Sequence, residues 1–368
     1  VNKKYNRRKI IYFMYIIYDD FYLKHHNGPD HPENADRLTA IKEALNNWKF
    51  KDKIAIKKPR PATDRQVEMV HDKNYIQKIK NLSRMGGLSY LDSDTAVTKY
   101  TYDCALLAAG GCFVGLDLIF SKRTKFDKFF AAVRPPGHHA FRDAGSGFCI
   151  FNNIALTARY AQENFGVEKI AILDFDAHHG NGTQEIFYDD SSIFYISFHQ
   201  YPHYPGTGYY NEIGRGKGEG FNMNFPFMPY TRDPDYLTAM IDIIIPVMER
   251  FDPGLILVSA GYDSHFSDSL SSLGLVEESY YKIMYIISYL SYKHCQGRTG
   301  ILLEGGYEYN STAKSVLETI RGCFNKGDFP DINTSIDLEN KLKIDESFKI
   351  QKVKNIEILD AIREIFKV

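Results

Sequence analysis

The stretch that most constrains this chain is Lys169-Ile-Ala-Ile-Leu-Asp-Phe-Asp-Ala-His-His-Gly-Asn-Gly-Thr183. Its apolar run, Ile170 to Leu173, reads as a buried strand ending in Asp174, Asp176, His178 and His179. A parallel strand covered on both faces has this composition and carries function at its carboxyl end. Side chains two apart in an extended segment face the same way, so Asp174, Asp176 and His178 share one side. Three ionisable groups placed there are costly to bury unless they pair with one another or hold a metal. An Asp and a His aimed into one hole form an oxygen-plus-nitrogen donor set that suits zinc.

Other apolar runs end in the same way. Phe129 to Val133 leads into Arg134-Pro-Pro-Gly-His138-His139, and Ile193 to Phe198 ends at His199. Pro253-Gly-Leu-Ile-Leu-Val-Ser-Ala-Gly-Tyr-Asp263 and Gly300-Ile-Leu-Leu-Glu-Gly-Gly-Tyr307 repeat the pattern. Helical spacing is expected between them at 152–162, 234–250 and 276–294, and earlier at 33–48, 63–80 and 99–120, after a first strand at 14–19. This alternation predicts an open α/β sheet, whose strand ends share one edge and bring distant residues together. Asp176, His178 and Asp263 would then form a three-ligand site with an open position; a structural zinc site would close with four protein ligands. His138 and His139 are placed to move protons and Tyr307 to donate to a polarised carbonyl. His31 and His199 read as packed or loop histidines, and His203 as a surface one.

The totals narrow the classes of function. A formal net charge of −1 and a pI near 6.9 give no bulk attraction to nucleic acid or to an anionic membrane surface. The five cysteines form no close CxxC pair, so neither disulfides nor a cysteine zinc site is expected. The apolar stretches read as too short or too interrupted to span a bilayer. Residues 1–9 are basic and Ile10 to Ile17 is apolar, yet no small-residue cleavage site follows. Residues 1–13 are therefore expected to be an N-terminal extension, with the domain starting at Met14 and the protein cytoplasmic. No linker composition divides residues 14–368, so one domain is expected. The charged segment after about residue 329 should be peripheral, forming a strand and a helix on its surface.

Six motifs together resemble one family. They are Arg134-Pro-Pro-Gly-His-His-Ala140, Gly147-Phe-Cys-Ile-Phe-Asn-Asn153, Asp174 to Thr183, Pro205-Gly-Thr-Gly208, Ser259-Ala-Gly-Tyr-Asp263 and Leu303-Glu-Gly-Gly-Tyr307. In order and spacing they are similar to the zinc-dependent histone deacetylases, a family that includes acetoin-utilisation proteins and acetylpolyamine amidohydrolases. The resemblance covers about residues 14–325. It implies a three-layer α/β/α arginase/deacetylase fold with a central, mostly parallel eight-stranded sheet. Zinc ligation falls to Asp176, His178 and Asp263, and the general base to His139. His138 becomes its electrostatic partner, bonded to Asp174, and Tyr307 polarises the acetyl carbonyl. Gly147, Phe148 and Tyr204 match the walls of an acyl-lysine channel, and Asp94, or less closely Asp92, matches its rim acid. Gly305 and Gly306 frame Tyr307. An interior potassium ion is implied near Asp174, Asp176, His178, Ser197 and Phe198.

Two departures set the subclass. Asn181 stands where some members have an acid behind the second histidine, and the Asn form resembles the class II and bacterial branch. Leu270 stands where polyamine-selective members tend to carry a glutamate, and an apolar gate offers a free ammonium no partner. A two-manganese arginase-type site fits less well, because it wants further carboxylates. The expected activity is hydrolysis of the acetyl amide of an acetylated lysine side chain or a small acetylated amine. The rivals are an acetylpolyamine amidohydrolase and a non-catalytic zinc module that binds acyl-lysine.

Overall fold

The computed structural model describes residues 14–122, 126–324 and 353–368. The expected extension at 1–13 and residues 325–352 of the expected peripheral tail lie outside the described residues, and the tail's expected helix is Ile356–Phe366. Ten strands are described: β1 (Met14–Ile17), β2 (Ile54–Lys57), β3 (Ser89–Tyr90), β4 (Ala96–Val97), β5 (Lys128–Ala131), β6 (Ile170–Asp174), β7 (Ile193–Gln200), β8 (Asn222–Phe227), β9 (Leu255–Ala260) and β10 (Thr299–Leu303). Eight of them form one sheet in the order β2-β1-β5-β10-β9-β6-β7-β8, while β3 and β4 make a separate antiparallel pair. Every pairing within the large sheet is parallel. Every residue of β1 and of β5 to β10 is buried, as the continuous apolar runs require of strands covered on both faces. Within the large sheet, among the described residues, it is the edge strand β2, Ile-Ala-Ile-Lys, that is largely solvated.

Helices cover both faces. On one side α1 (Asp36–Asn47), α9 (Glu277–His294) and α10 (Tyr309–Gly322) pack side by side. On the other, α4 (Thr101–Ile119) and α5 (Asn153–Phe165) pack together, with α2 (Asp64–Val67), α3 (Lys73–Met85) and α6 (Asn181–Phe187) nearby. This is the three-layer α/β/α arrangement. By length and composition alone α4 could cross a membrane, contrary to the reading of its sequence as too interrupted. Two-thirds of that span is buried inside the domain, against β5, β1 and α5, so its apolarity is that of a core helix.

The single helix expected at 234–250 is three consecutive helical segments, two α with a wider π stretch between them. α7 (Asp233–Thr238) passes through a π-helical stretch, Ala239–Ile244, into α8 (Ile245–Phe251). Pro246 has no N–H to donate four residues back, and widening the preceding turn accommodates that loss. The last helix, α11 (Ile356–Phe366), packs against β8 and the π-helical stretch through Leu359, Ile362 and Phe366.

The order of strands decides where the chemistry goes. β5, β10, β9 and β6 are consecutive in the sheet, and their carboxyl ends lead directly into residues 134–139, 304–307, 261–263 and 175–178.

Candidate active site

At the end of β6 the chain leaves its last register pair, Asp174 opposite Ser259 of β9 and Ser197 of β7. Nδ1 of His178 then lies 3.1 Å from Asp176 Oδ1 and 3.0 Å from Asp263 Oδ2. The donor atoms of these three residues all lie within 4.8 Å of one another. The carboxylates are held from behind by backbone donors: Gly305 N to Asp176 Oδ2 at 2.8 Å, and Ala177 N to Asp263 Oδ1 at 2.9 Å. Neighbouring ligands of a tetrahedral ion bound at about 2.0 Å are roughly 3.3 Å apart, so a spreading of a few tenths of an ångström about His178 separates this geometry from a three-ligand metal site. The donor set therefore fits zinc. Two carboxylates hold the His178 ring's proton affinity well above normal in spite of burial. Burial, with Asp176 alongside, pushes the Asp263 carboxyl above the usual carboxylate range.

Close approach explains two glycines here. A Cβ on Gly261 would run into the Asp176 carboxylate, and one on Gly305 would run into the carboxylates of both Asp263 and Asp176. Gly306 offers its carbonyl to Arg37 Nε, whose guanidinium lies over the Tyr307 ring, 4.9 Å from its centroid.

The two histidines after β5 have different environments. His138 Nδ1 lies 3.0 Å from Asp174 Oδ2, which also accepts from the Tyr195 hydroxyl at 3.0 Å. Burial opposes charge on His138, but Asp174, Asp176 and Glu304 outweigh it and raise the ring to about 10. His139 faces an amide instead, with Nδ1 2.8 Å from Asn181 Oδ1. Burial and the neighbouring His138 and His178 rings push it well below the usual histidine range. One ring is thus held charged and the other neutral. With Nδ1–H donated to Asn181, His139 keeps its Nε2 lone pair free to take a proton.

His139 and His178 open into one pocket of about 260 Å³, with Asp94, Gly147, Phe148, His203, Tyr204, Leu270 and Tyr307 on its other walls. Phe148 has φ +69°, a left-handed conformation that costs a residue with a Cβ about 1–2 kcal/mol. Hydrogen bonds from Phe148 N to Thr95 Oγ1 (2.9 Å) and Gly147 N to Asp92 Oδ2 (3.2 Å) hold it there. Asp92 is therefore a brace that also accepts from Asp94 N, and Asp94 is the acid that faces the pocket. Tyr204 presents its edge to His139 and bonds through its hydroxyl to Ser146 Oγ at 2.9 Å. Ser197 is tied to His199 Nδ1 at 2.9 Å, and the Phe198 ring stacks on Phe225 in the core, so of the positions linked to a potassium ion Asp174 and Ser197 lie side by side in the sheet.

Residues 31–323 match the family model of the histone deacetylase domain. The chain belongs to the histone deacetylase family. It is 42% identical over 294 residues to a probable deacetylase of Archaeoglobus fulgidus, covering 79% of this chain and 80% of that one. Identity to histone deacetylase 14, chloroplastic, of Arabidopsis thaliana is 39% over 310 residues, 80% and 73% of the two chains. The polyamine deacetylase HDAC10 of Danio rerio is 34% identical over 299 residues, 78% of this chain and 43% of the relative. The crystal structure of the HDA15 HD domain superposes with a TM-score of 0.80 at 33% identity, over 92% of this chain and 97% of the other. This family member is accordingly an amide-hydrolysing enzyme.

Several site residues of this deacetylase carry no local signal. His203, expected on the surface, stacks on His178 with ring centroids 5.0 Å apart and forms part of the pocket wall. Its place is set by a loop that folds back from β7, which periodicity does not register. Glu304 is a buried acid whose Oε2 accepts from Gly137 N (2.7 Å) and His138 N (3.2 Å), and whose Oε1 accepts from Ser259 (3.1 Å). Asp268 accepts from Tyr307 N at 2.6 Å and Leu270 N at 3.0 Å, tying the two sides of the pocket together. Arg134 pairs with Glu33, which also holds Arg37 at 3.0 Å, making a fully buried ion cluster beneath the loops. His179, by contrast, turns away from the Asp176–His178–Asp263 group to Thr207 (2.8 Å) and Gln184 (3.0 Å).

Proposed function

We propose that this deacetylase removes the acetyl group from an acetylated lysine side chain or a small acetylated amine, using zinc held by Asp176, His178 and Asp263. The observation that carries this reading is that His139, His178 and Tyr307 open together into one narrow pocket walled by Phe148, Tyr204 and Leu270. Zinc in the triad would supply a Lewis acid for the amide carbonyl and for the attacking water. An apolar slot of this kind suits a methylene chain ending in a neutral amide, because neither leaves a buried charge unpaired.

The chain's own groups account for the proton movements. His139, neutral and oriented by Asn181, takes a proton from water as the water oxygen bonds to the carbonyl carbon. Tyr307, kept protonated by burial and by the nearby Asp263 carboxylate, donates its hydroxyl hydrogen bond to the carbonyl oxygen as negative charge develops there. His138, charged by Asp174 and in ring contact with His139 at 4.0 Å between centroids, disfavours a second positive charge and so helps His139 release its proton. The proton passes to the leaving nitrogen as the C–N bond breaks, giving acetate and a free amine.

An acetylpolyamine is the second reading, favoured by the Asp94 carboxylate in the pocket wall and by the relative from Danio rerio. Leu270 weighs against it, since an apolar side chain there gives a distal ammonium no counter-charge. The deciding experiment is a zinc-reconstituted panel of acetyl-lysine peptide, free acetyl-lysine and acetylputrescine. A higher kcat/KM for acetylputrescine would overturn the first reading in favour of the second, and no hydrolysis of any would reject both.

A further inference from the structure

The segment at 353–368 lies beyond the family-matched residues 31–323, yet it is bonded to the 228–235 segment, which is itself bonded to the loop that carries Leu270 of the pocket wall. Asn355 is 2% exposed and every polar atom of its side chain is used. Its Nδ2 donates to Thr231 Oγ1 at 2.9 Å and Asp235 Oδ1 at 2.7 Å, and its Oδ1 accepts from Met228 N at 3.0 Å. Backbone N–H groups of Lys354 and Asn355 also donate to Asp235, at 2.9 and 2.7 Å, and Lys354 Nζ donates to the Pro229 carbonyl. Both ends of the 228–231 turn are therefore gripped from the tail.

That turn is not relaxed on its own. Tyr230 sits at φ +65°, a left-handed conformation unfavourable for a residue with a Cβ, and its side chain is 73% exposed, so packing of the ring does not hold it there. The turn in turn carries the following loop: Tyr230 N donates to Ser272 O at 2.6 Å and Gly274 N to Thr231 O at 2.8 Å. Two residues before Ser272, the Leu270 carbonyl accepts from His203 Nε2 at 2.9 Å. Leu270 and His203 are both pocket walls, and His203 is the ring stacked on His178.

We propose that Asn355 is a positioning residue for substrate selection: by clamping the 228–231 turn it fixes the loop that holds Leu270 and His203 at the pocket. This deepens the proposed function and rests on it as far as the substrate is concerned. His139, Tyr307, Asp176 and His178 sit on other loops, and Asp263, at the start of the connection that carries Leu270, is held separately by Ala177 N at 2.9 Å, so losing the clamp widens one wall of the pocket while leaving the reacting groups in place. The effect falls on binding and on acyl-chain selection more than on turnover.

The test uses the full-length, zinc-loaded protein with Asn355→Ala, read in two independent ways. Amide hydrogen exchange needs no substrate: the amides of Tyr230 and Gly274 are expected to exchange about tenfold faster, with those of β6 unchanged. Unchanged exchange at both amides, or equal acceleration in β6, overturns the proposal. Kinetics on acetyl-lysine and butyryl-lysine peptides are expected to show KM raised about fivefold for the acetyl substrate, kcat within about twofold, and a shift of preference toward butyryl. In a Leu270→Ala background Asn355→Ala is expected to add less than about twofold, because the two changes act on the same wall. Full additivity overturns the proposal. Arg363→Ala cuts another anchor of the same helix, its 3.0 Å bond to Asp242, and is expected to leave KM unchanged; an equal shift would show a merely structural role and overturn it. Should Asn355→Ala fail to fold, Thr231→Val removes one bond of the clamp and is expected to act in the same direction, more weakly. A wild-type protein that hydrolyses no acyl-amine would reject the proposed function, while the exchange result still decides the clamp.

Discussion

His139 and Asn181 meet through a 2.8 Å hydrogen bond in which an amide oxygen, not a carboxylate, receives the ring proton. With burial and two neighbouring imidazoles already lowering its proton affinity, His139 has no local anion behind it to restore basicity. Asn181→Asp should therefore raise the His139 pKa. The acidic limb of the kcat/KM–pH profile is expected to move to higher pH, and a profile that stays put or moves to lower pH would disprove the coupling.

His139→Ala and Tyr307→Phe separate proton transfer from carbonyl stabilisation. Turnover is expected to fall by about 10²–10⁴-fold for the first and 10²–10³-fold for the second. Zinc content, measured by elemental analysis, should remain that of the wild type, because neither side chain is among the three ligands. Rates within tenfold of wild type in both variants would remove the mechanism.

The His138–Asp174 pair makes the metal-free protein's stability depend on pH in a defined direction. The ring's folded value, about 10, lies above its ordinary 6.5, so the charged ring's contribution is complete below about 6.5 and is lost as pH rises through about 10. The melting-temperature gap between chelated wild type and chelated His138→Gln is expected to be widest near pH 6 and to close toward pH 10. A gap that grows with pH would contradict the assignment.

Metal uptake should release protons. In the metal-free protein His178 is held charged between Asp176 and Asp263, and a ligand must be neutral to coordinate. Zinc titrated into the chelated protein at pH 7, in buffers of different ionisation enthalpy, is expected to show net proton release, with affinity falling as pH is lowered. A pH-independent affinity would exclude protonated His178 as the resting state.

Glu304→Ala tests the anchor beneath the histidine pair. The change orphans two buried backbone donors, those of Gly137 and His138, and is expected to cost roughly 2–4 kcal/mol in urea unfolding. Glu304→Gln keeps an acceptor in place and should cost less. Equal losses in the two variants would show that charge, not hydrogen bonding, holds the loop.

The strand ends were legible because apolar runs such as Ile170 to Leu173 and Leu255 to Val258 stop abruptly at acids, and the chemistry is concentrated at those stops. The central sheet and its three layers followed from the same alternation and from the family resemblance. What could not be read was reach across the fold. Glu304 acts on Gly137 from 167 residues away, and Asn355 acts on Met228 from 127 away. Edge strand β2 carries little signal because its apolar run, Ile54 to Ile56, is three residues long and largely solvated. His203 looked like a surface residue because its neighbours Tyr201, Pro202 and Tyr204 are turn-like, and the loop's return to His178 has no period.

Gly261 and Gly305 carry no side chain to donate, accept or coordinate, yet each backs directly onto the carboxylates of the triad. In a library of random single substitutions, inactive clones should therefore accumulate at these two silent positions as densely as at Asp176 and Asp263 themselves. A survey ranking positions by chemical functionality would overlook both. The smallest residues of the chain are thus among its least replaceable, and even alanine, one methyl larger, is too big for either place.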